Sequence, residues 1–238
     1  MPLFSNISVS CVALLSFWGA FGTGSSTNQP GASLNFKDLS FPYRNGVTMY
    51  YSGYSISYDF IEGQGMEPQP SVPVRLIYAI RDAAPGGKVL QFDVTHFSGN
   101  KQDPTVSTWL RMDNSGMYFW IGKRKVPTKK QTHAISFPLE RNKRWKTKNE
   151  STEITYACLA LDSLIPGPLG QMTSFCIQST WSKDAEDGEG KMMFRTVECY
   201  QANKGKIYTN HRTSYSIRGR NFTLYEEQMH LDSLSILP

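Results

Sequence analysis

The chain has 238 residues, 39% hydrophobic and 13% aromatic, enough to bury a core in one large all-β domain or two small ones. Twelve Tyr and thirteen Phe favour strands over helices, and no apolar run is long enough for a membrane-spanning helix. The formal charge is +5, and no phosphate loop, dinucleotide fingerprint or Gly-x-Ser-x-Gly element occurs, which excludes the enzyme classes built on them.

Residues 1–22 read as a signal peptide. Ile7–Phe21 is a weakly apolar stretch too short to span a bilayer, and Ala20-Phe21-Gly22 is a small-x-small cleavage pattern. No Lys or Arg precedes Lys37, so a disordered tail or a mis-assigned start is the competing reading. Cys11 lacks the Leu and small residues of a lipid-attachment box, so no lipoprotein is expected. Residues 23–40 form a flexible tether.

From Val47 to Ile61 the chain alternates, with Tyr50, Ser52, Tyr54, Ile56, Tyr58 and Phe60 on one face, which predicts a long strand. Val74–Ile80, Leu90–His96, Val106–Met112 and Met117–Ile121 alternate in turn, with a hairpin at Asp113-Asn114-Ser115-Gly116. Further strands are expected over Arg144–Lys148, Glu153–Asp162, Gln171–Trp181, Lys191–Gln201, Lys206–His211 and Asn221–Met229. No segment keeps a 3.6-residue apolar period.

The chain also repeats itself. Phe41-Pro42-Tyr43-Arg44-Asn45-Gly46 and Phe137-Pro138-Leu139 each open a run of strands that closes on a polar turn, at Asn114-Ser115-Gly116 and Asn203-Lys204-Gly205. This reads as a diverged duplication: repeat 1 over 41–122, a basic linker over 123–136, repeat 2 over 137–238. From Lys123 to Lys148 ten basic residues face Glu140 alone, which leaves the rest of the chain 15 basic against 19 acidic. The net positive charge therefore comes from this junction.

The Phe-Pro-Leu opening with a following Trp and a Gly-x-Ile-Tyr strand (Phe137, Pro138, Leu139, Trp145, Gly205, Ile207, Tyr208), echoed by Phe41, Pro42, Gly46, Gly116 and Tyr118, resembles a group of bacterial secreted and lipoprotein β-domains that are often duplicated. These are similar in style to lipoprotein-carrier folds, in which a curved antiparallel sheet wraps partly round a hydrophobic groove. The chain departs from that pattern at Lys143, where Gly is favoured, and the first copy has no Trp. The resemblance implies a fold, an extracytoplasmic compartment and apolar-ligand binding, and transfers no catalytic residue.

The expected fold is all-β: a strongly curved, half-barrel-like antiparallel meander sheet from two pseudo-repeats with little helix. The expected function is a non-catalytic secreted or periplasmic module that binds an acyl chain or other lipid, or an envelope partner, or is purely structural. The alternative is a secreted hydrolase acting on envelope carbohydrate. The apolar ligand face would comprise Tyr50, Tyr54, Ile56, Tyr58, Phe60, Leu90, Phe92 and Val94. An acidic envelope polymer would bind Lys123, Arg124, Lys125, Arg144, Lys146 and Lys148, with Trp145 on the opposite strand face. A secretory route makes nucleic acid the least favoured anion. No cofactor is expected, and His96, His133, His211 and His230 show no metal-type spacing. His96 reads as a core or cleft histidine. Asp162, Glu198, Glu226 and Glu227 are the carboxylates a glycosidase would draw on. Asn149-Glu150-Ser151 and Asn221-Phe222-Thr223 fit the glycosylation pattern.

Cys158, Cys176 and Cys199 are candidates for a disulfide. Cys158 and Cys176 are centred on Gly167, and Cys176 and Cys199 on Asp187-Gly188. In unbulged hairpins both pairs face each other, so the three thiols are expected in one row on one sheet face, with Cys176 able to bond either neighbour.

Overall fold

The computed structural model describes residues 33–39, 41–61, 65–83, 89–121, 131–149, 152–186 and 188–236. The strands in chain order are β1 (Ser33–Leu34), β2 (Val47–Ile61), β3 (Gly65–Pro68), β4 (Val72–Ala83), β5 (Val89–Ser98), β6 (Lys101–Gln102), β7 (Val106–Asp113), β8 (Gly116–Ile121), β9 (Thr132–Ser136), β10 (Leu139–Glu140), β11 (Arg144–Asn149), β12 (Thr152–Ile165), β13 (Met172–Asp184), β14 (Lys191–Gln201), β15 (Gly205–Ile217) and β16 (Arg220–Ile236). Among the described residues a single 3-10 turn, Phe36–Asp38, follows β1.

The main sheet runs β11-β12-β13-β14-β15-β16-β2-β4-β5-β7-β8-β9, with β3 folded onto β2 and β6 onto β5; β1 and β10 form a separate pair. All pairs are antiparallel, so the sequential hairpins of the two halves make two meanders joined where β16 lies along β2, from Tyr225 opposite Ser57 to Ile236 opposite Val47. The strongly curved all-β sheet expected from the alternation is present, its curl carried nearly to a closed barrel. The end strands β9 and β11 lie side by side at the seam. There the Trp145 indole donates to the His133 carbonyl at 3.0 Å, and the His133 N–H donates to Thr147 Oγ1 at 3.4 Å.

The barrel is filled by its own chain. Val47, Met49, Tyr51, Leu76, Ile80, Leu90, Leu110, Ile207 and Leu231 point inward and are buried. The segment before β2 packs onto them: Tyr43 meets Phe92 edge-on at 5.5 Å, Phe41 stacks on Tyr43 at 5.1 Å, and Phe36 meets Phe137 at 5.8 Å. Tyr43 accepts the Lys206 N–H at 3.1 Å and covers Gly205, which has φ +77°. A Cβ at 205 would stand 2.5 Å from the Tyr43 hydroxyl, so glycine is needed there both for backbone conformation and for close approach. The tether assigned to residues 23–40 thus ends in ordered core: Leu34 pairs with Leu139, and Leu39 is buried.

The cysteine row is half correct. Cys176 lies opposite Cys199 and forms a disulfide, with a Cα separation of 4.1 Å that matches the narrower type of antiparallel pair. Cys158 instead faces Ile177, while Cys176 faces Ala160, so the free Cys158 lies on the other sheet face. The cause is a register shift between Cys158 and Ala160, an irregularity that midpoint reasoning cannot anticipate.

Candidate functional site

The eight residues expected to form one apolar face do not share a face. In β2 the inward set is Val47, Met49 and Tyr51, each at most 2% exposed. Tyr50, Tyr54, Ile56, Tyr58 and Phe60 therefore point outward, and Tyr50 is 39% and Phe60 68% exposed. Leu90, Phe92 and Val94 face the core, joined to it through pairs such as Tyr78 with Val94 and Met49 with Tyr78. Period two sorts a strand into two faces without saying which is buried, and both faces of β2 are rich in apolar atoms.

Among the described residues the interior offers little room for a ligand. The cleft lined by Tyr43, Met49, Tyr51, Tyr78, Phe92, Tyr200 and Lys206 holds about 40 Å³, against roughly 300–1,000 Å³ for a site that takes a small molecule. Its polar groups are engaged with one another. Lys206 Nζ donates to Glu198 Oε1 at 2.9 Å and to the Tyr78 hydroxyl at 3.0 Å, and the Tyr200 hydroxyl donates to Glu198 Oε2 at 2.9 Å. Burial is the largest single influence and favours the neutral amine, but the Glu198 carboxylate together with the Tyr78 and Tyr51 hydroxyls outweighs it and holds the Lys206 pKa well above its ordinary value.

A second buried cluster lies toward the other end. His96 places Nδ1 2.8 Å from Asp103 Oδ2 and Nε2 3.3 Å from Glu227 Oε2, and the Tyr225 hydroxyl donates to that same Glu227 oxygen at 2.7 Å. The Glu227 carboxylate, seconded by that of Asp103, overcomes burial and raises the His96 pKa to about 9. His211, opposite Glu227 and 3.0 Å from Thr213 Oγ1, is pushed the other way by burial and stays neutral.

The carboxylates of the hydrolase reading are dispersed. Asp162 pairs with Arg141 at the surface, Glu198 is bound to Lys206, and Glu226 and Glu227 are consecutive in β16, so they point to opposite faces and cannot flank one bond. Among the described residues no group of three His, Cys, Asp or Glu is placed to hold a metal.

The outer face carries the unusual chemistry. Arg144, Lys146 and Lys148 are exposed on β11, with Trp145 turned inward onto Tyr156. Lys123, Arg124 and Lys125 lie outside the described residues. From Lys146 one cross-strand row runs without a break through Thr155, Thr180, Arg195, Arg212 and Glu226 to Ile56. The next row runs from Arg144 through Ala157, Gln178, Val197, Asn210 and Gln228 to Tyr54. The cations of β11 and the aromatics of β2 thus stand at opposite margins of one polar belt. Seven strands at about 4.8 Å spacing make it roughly 29 Å wide.

At the middle of the belt Arg195 stands directly opposite Arg212. Like charges in that position repel, and burial together with the Arg212 charge lowers the Arg195 pKa. Arg212 Nε donates to Glu226 Oε1 at 2.6 Å, and Arg195 Nε to Gln178 Oε1 at 2.6 Å. The Tyr58 hydroxyl reaches Glu226 at 3.4 Å, and the Tyr54 hydroxyl reaches Gln228 at 3.2 Å. Two guanidinium groups side by side present a fork suited to carboxylate, sulfate or phosphate, next to flat aromatic rings. Sequence reading missed Arg195 and Arg212. The midpoint reasoning used for the cysteines, applied to the Asn203 turn, places them opposite to within one residue.

No family model and no curated protein matches the chain. Two solved structures are similar to it. One, a Bacteroides fragilis protein assigned as exported with a YmcC-like fold, has 11% identity and a TM-score of 0.46, and the match covers 83% of this chain and 99% of that one. The other, a Parabacteroides distasonis protein assigned as a lipoprotein, has 12% identity and a TM-score of 0.47 over 83% and 98% of the two chains.

Proposed function

We propose that this protein is a non-catalytic secreted or periplasmic module that binds an acidic envelope polymer along its outer belt, from Arg144 and Lys146 across Arg195 and Arg212 to Tyr54 and Tyr58. The observation that carries the reading is the Arg195–Arg212 pair, two like charges held directly opposite on a half-exposed face. Like charges so placed repel; Glu226 balances Arg212, whereas Arg195 is bonded to the neutral Gln178 amide, so an anionic group of the polymer would complete Arg195. The Cys176–Cys199 disulfide supports an extracytoplasmic compartment, since such bonds persist in oxidising surroundings. The filled interior argues against an acyl chain as the ligand. The two meanders are read as copies of one ancestral unit; the stretch 123–136 expected to link them includes β9 (Thr132–Ser136), a strand of the main sheet that closes the first meander.

The test is retention on immobilised heparin, a sulfated acidic polysaccharide, over a salt gradient. Exposed charges are screened over about 8 Å at physiological ionic strength, so retention falls steeply with salt. Arg195→Gln, which leaves the Arg212–Glu226 pair intact, elutes at distinctly lower salt than the unmodified protein. Equal elution of the two removes the arginine pair from the site.

A further inference from the structure

Between Asp162 and Lys183 the sequence contains no charged residue, and the turn joining β12 to β13 lies inside that stretch. It reads Leu164-Ile165-Pro166-Gly167-Pro168-Leu169-Gly170. Ile165 is buried, whereas Leu164 is 61% and Leu169 40% exposed. The backbone of this turn is suited to leaving water: Pro166 and Pro168 have no N–H to desolvate, and the Gly170 N–H is bonded to the Gly167 carbonyl at 2.9 Å. Gly167 sits against His230, where a Cβ would lie 3.2 Å from Nδ1, so the turn is seated on the barrel wall.

The position of the turn indicates what it meets. Strand registers place it at one end of the barrel with the β14–β15 turn and with the termini of β2 and β16, where the exposed Ile236 lies opposite Val47. A cation borders the turn: Lys204 Nζ lies 3.5 Å from Met172 Sδ at the base of the hairpin. Exposed leucines on an uncharged, proline-bearing turn, with Lys204 beside it, match the apolar boundary and anionic headgroups of a bilayer.

We infer that the β12–β13 turn is a lipid-interface contact, with Leu164 and Leu169 inserted among the acyl chains of an anionic bilayer surface. It uses residues separate from the outer belt, so either site can fail without the other.

The experiment is co-sedimentation of the full chain with vesicles of phosphatidylethanolamine and phosphatidylglycerol, combined with a tryptophan placed at the turn. Leu164→Asp with Leu169→Asp lowers the partition coefficient roughly tenfold or more, since two apolar side chains no longer leave water. Phe60→Asp, an exposed apolar residue of β2 beyond its pairing with β16, leaves the coefficient unchanged. In Leu169→Trp the additional indole emission shifts to the blue on adding vesicles and is quenched by brominated acyl chains. Equal sedimentation of the unmodified protein and the double Asp variant, or an unquenched Trp at 169, overturns the inference. A monomer–dimer equilibrium abolished by the double Asp variant would assign the turn to a second copy of the chain instead, and would also overturn it.

Discussion

The Trp145 indole donates a hydrogen bond to the His133 carbonyl across 3.0 Å, and in doing so ties the first strand of the second meander to the last strand of the first. Behind it the ring stacks on Tyr156 at 5.4 Å. Trp145→Phe keeps most of the stacking and removes the donor. A half-buried carbonyl left unpaired costs about 1–3 kcal/mol, and the loss should appear as a lower urea midpoint with an unchanged slope. Hydrogen exchange should quicken at His133, whose N–H is held by Thr147 of the same seam.

Gly205→Ala should destabilise the protein far more than Gly188→Ala. Both glycines have positive φ, at +77° and +71°, so both variants carry the left-handed backbone penalty of about 1–2 kcal/mol. Only at 205 does the new Cβ meet a ring, that of Tyr43, while at 188 nothing lies within 4 Å. Thermal unfolding of the two variants side by side measures the difference, which reports how firmly Tyr43 is held.

Much of this was legible beforehand. Alternation from Val47 to Ile61 marked β2, and the turn residues at Asn114–Gly116 and Asn203–Gly205 marked two hairpins. The alternation could not say which face of β2 meets the core, because Met49 and Tyr51 inside and Tyr50 and Tyr54 outside are comparably apolar. Only the neighbours across β4 and β16 decide it. Cys176 and Cys199 were legible because β13 and β14 pair without a shift; Cys158 was not, because the β12–β13 register slips beside it. The outer belt was half legible: Arg144 and Lys146 stood out in a charge run, while Arg195 and Arg212 are isolated cations that register alone brings together.

Stability should fall as pH rises from about 6.5 to about 9. His96 has its pKa raised to about 9 by Glu227 and Asp103, so its contribution is complete below the unfolded value near 6.5 and is lost as pH climbs through the folded one. The groups that face it are Glu227, Asp103 and, through Glu227, Tyr225. Chemical denaturation at about pH 6, about 7.5 and about 9 should show this fall in the unmodified protein. His96→Gln should be less stable at the acid end and show a flatter profile.

Thiol chemistry should separate Cys158 from the other two cysteines of the barrel. Burial pushes its pKa up to about 11 and shields it, so alkylation of the folded protein at neutral pH should be slow there and become fast on unfolding. Peptide mapping without reduction should recover Cys176 linked to Cys199 and Cys158 unlinked. Replacing both bonded cysteines by Ser should cost about 2–4 kcal/mol.

The account rests on a barrel whose interior is occupied by its own chain, with Tyr43 seated between Phe92 and Gly205, so that binding belongs to the outer surface. Native mass spectrometry of the protein purified from its own envelope fraction tests this most directly. The predicted result is a polypeptide with one disulfide and no acyl adduct. A lipid retained in stoichiometric amount by the unmodified protein, and still retained when Leu164 and Leu169 are both replaced by Asp, would contradict it.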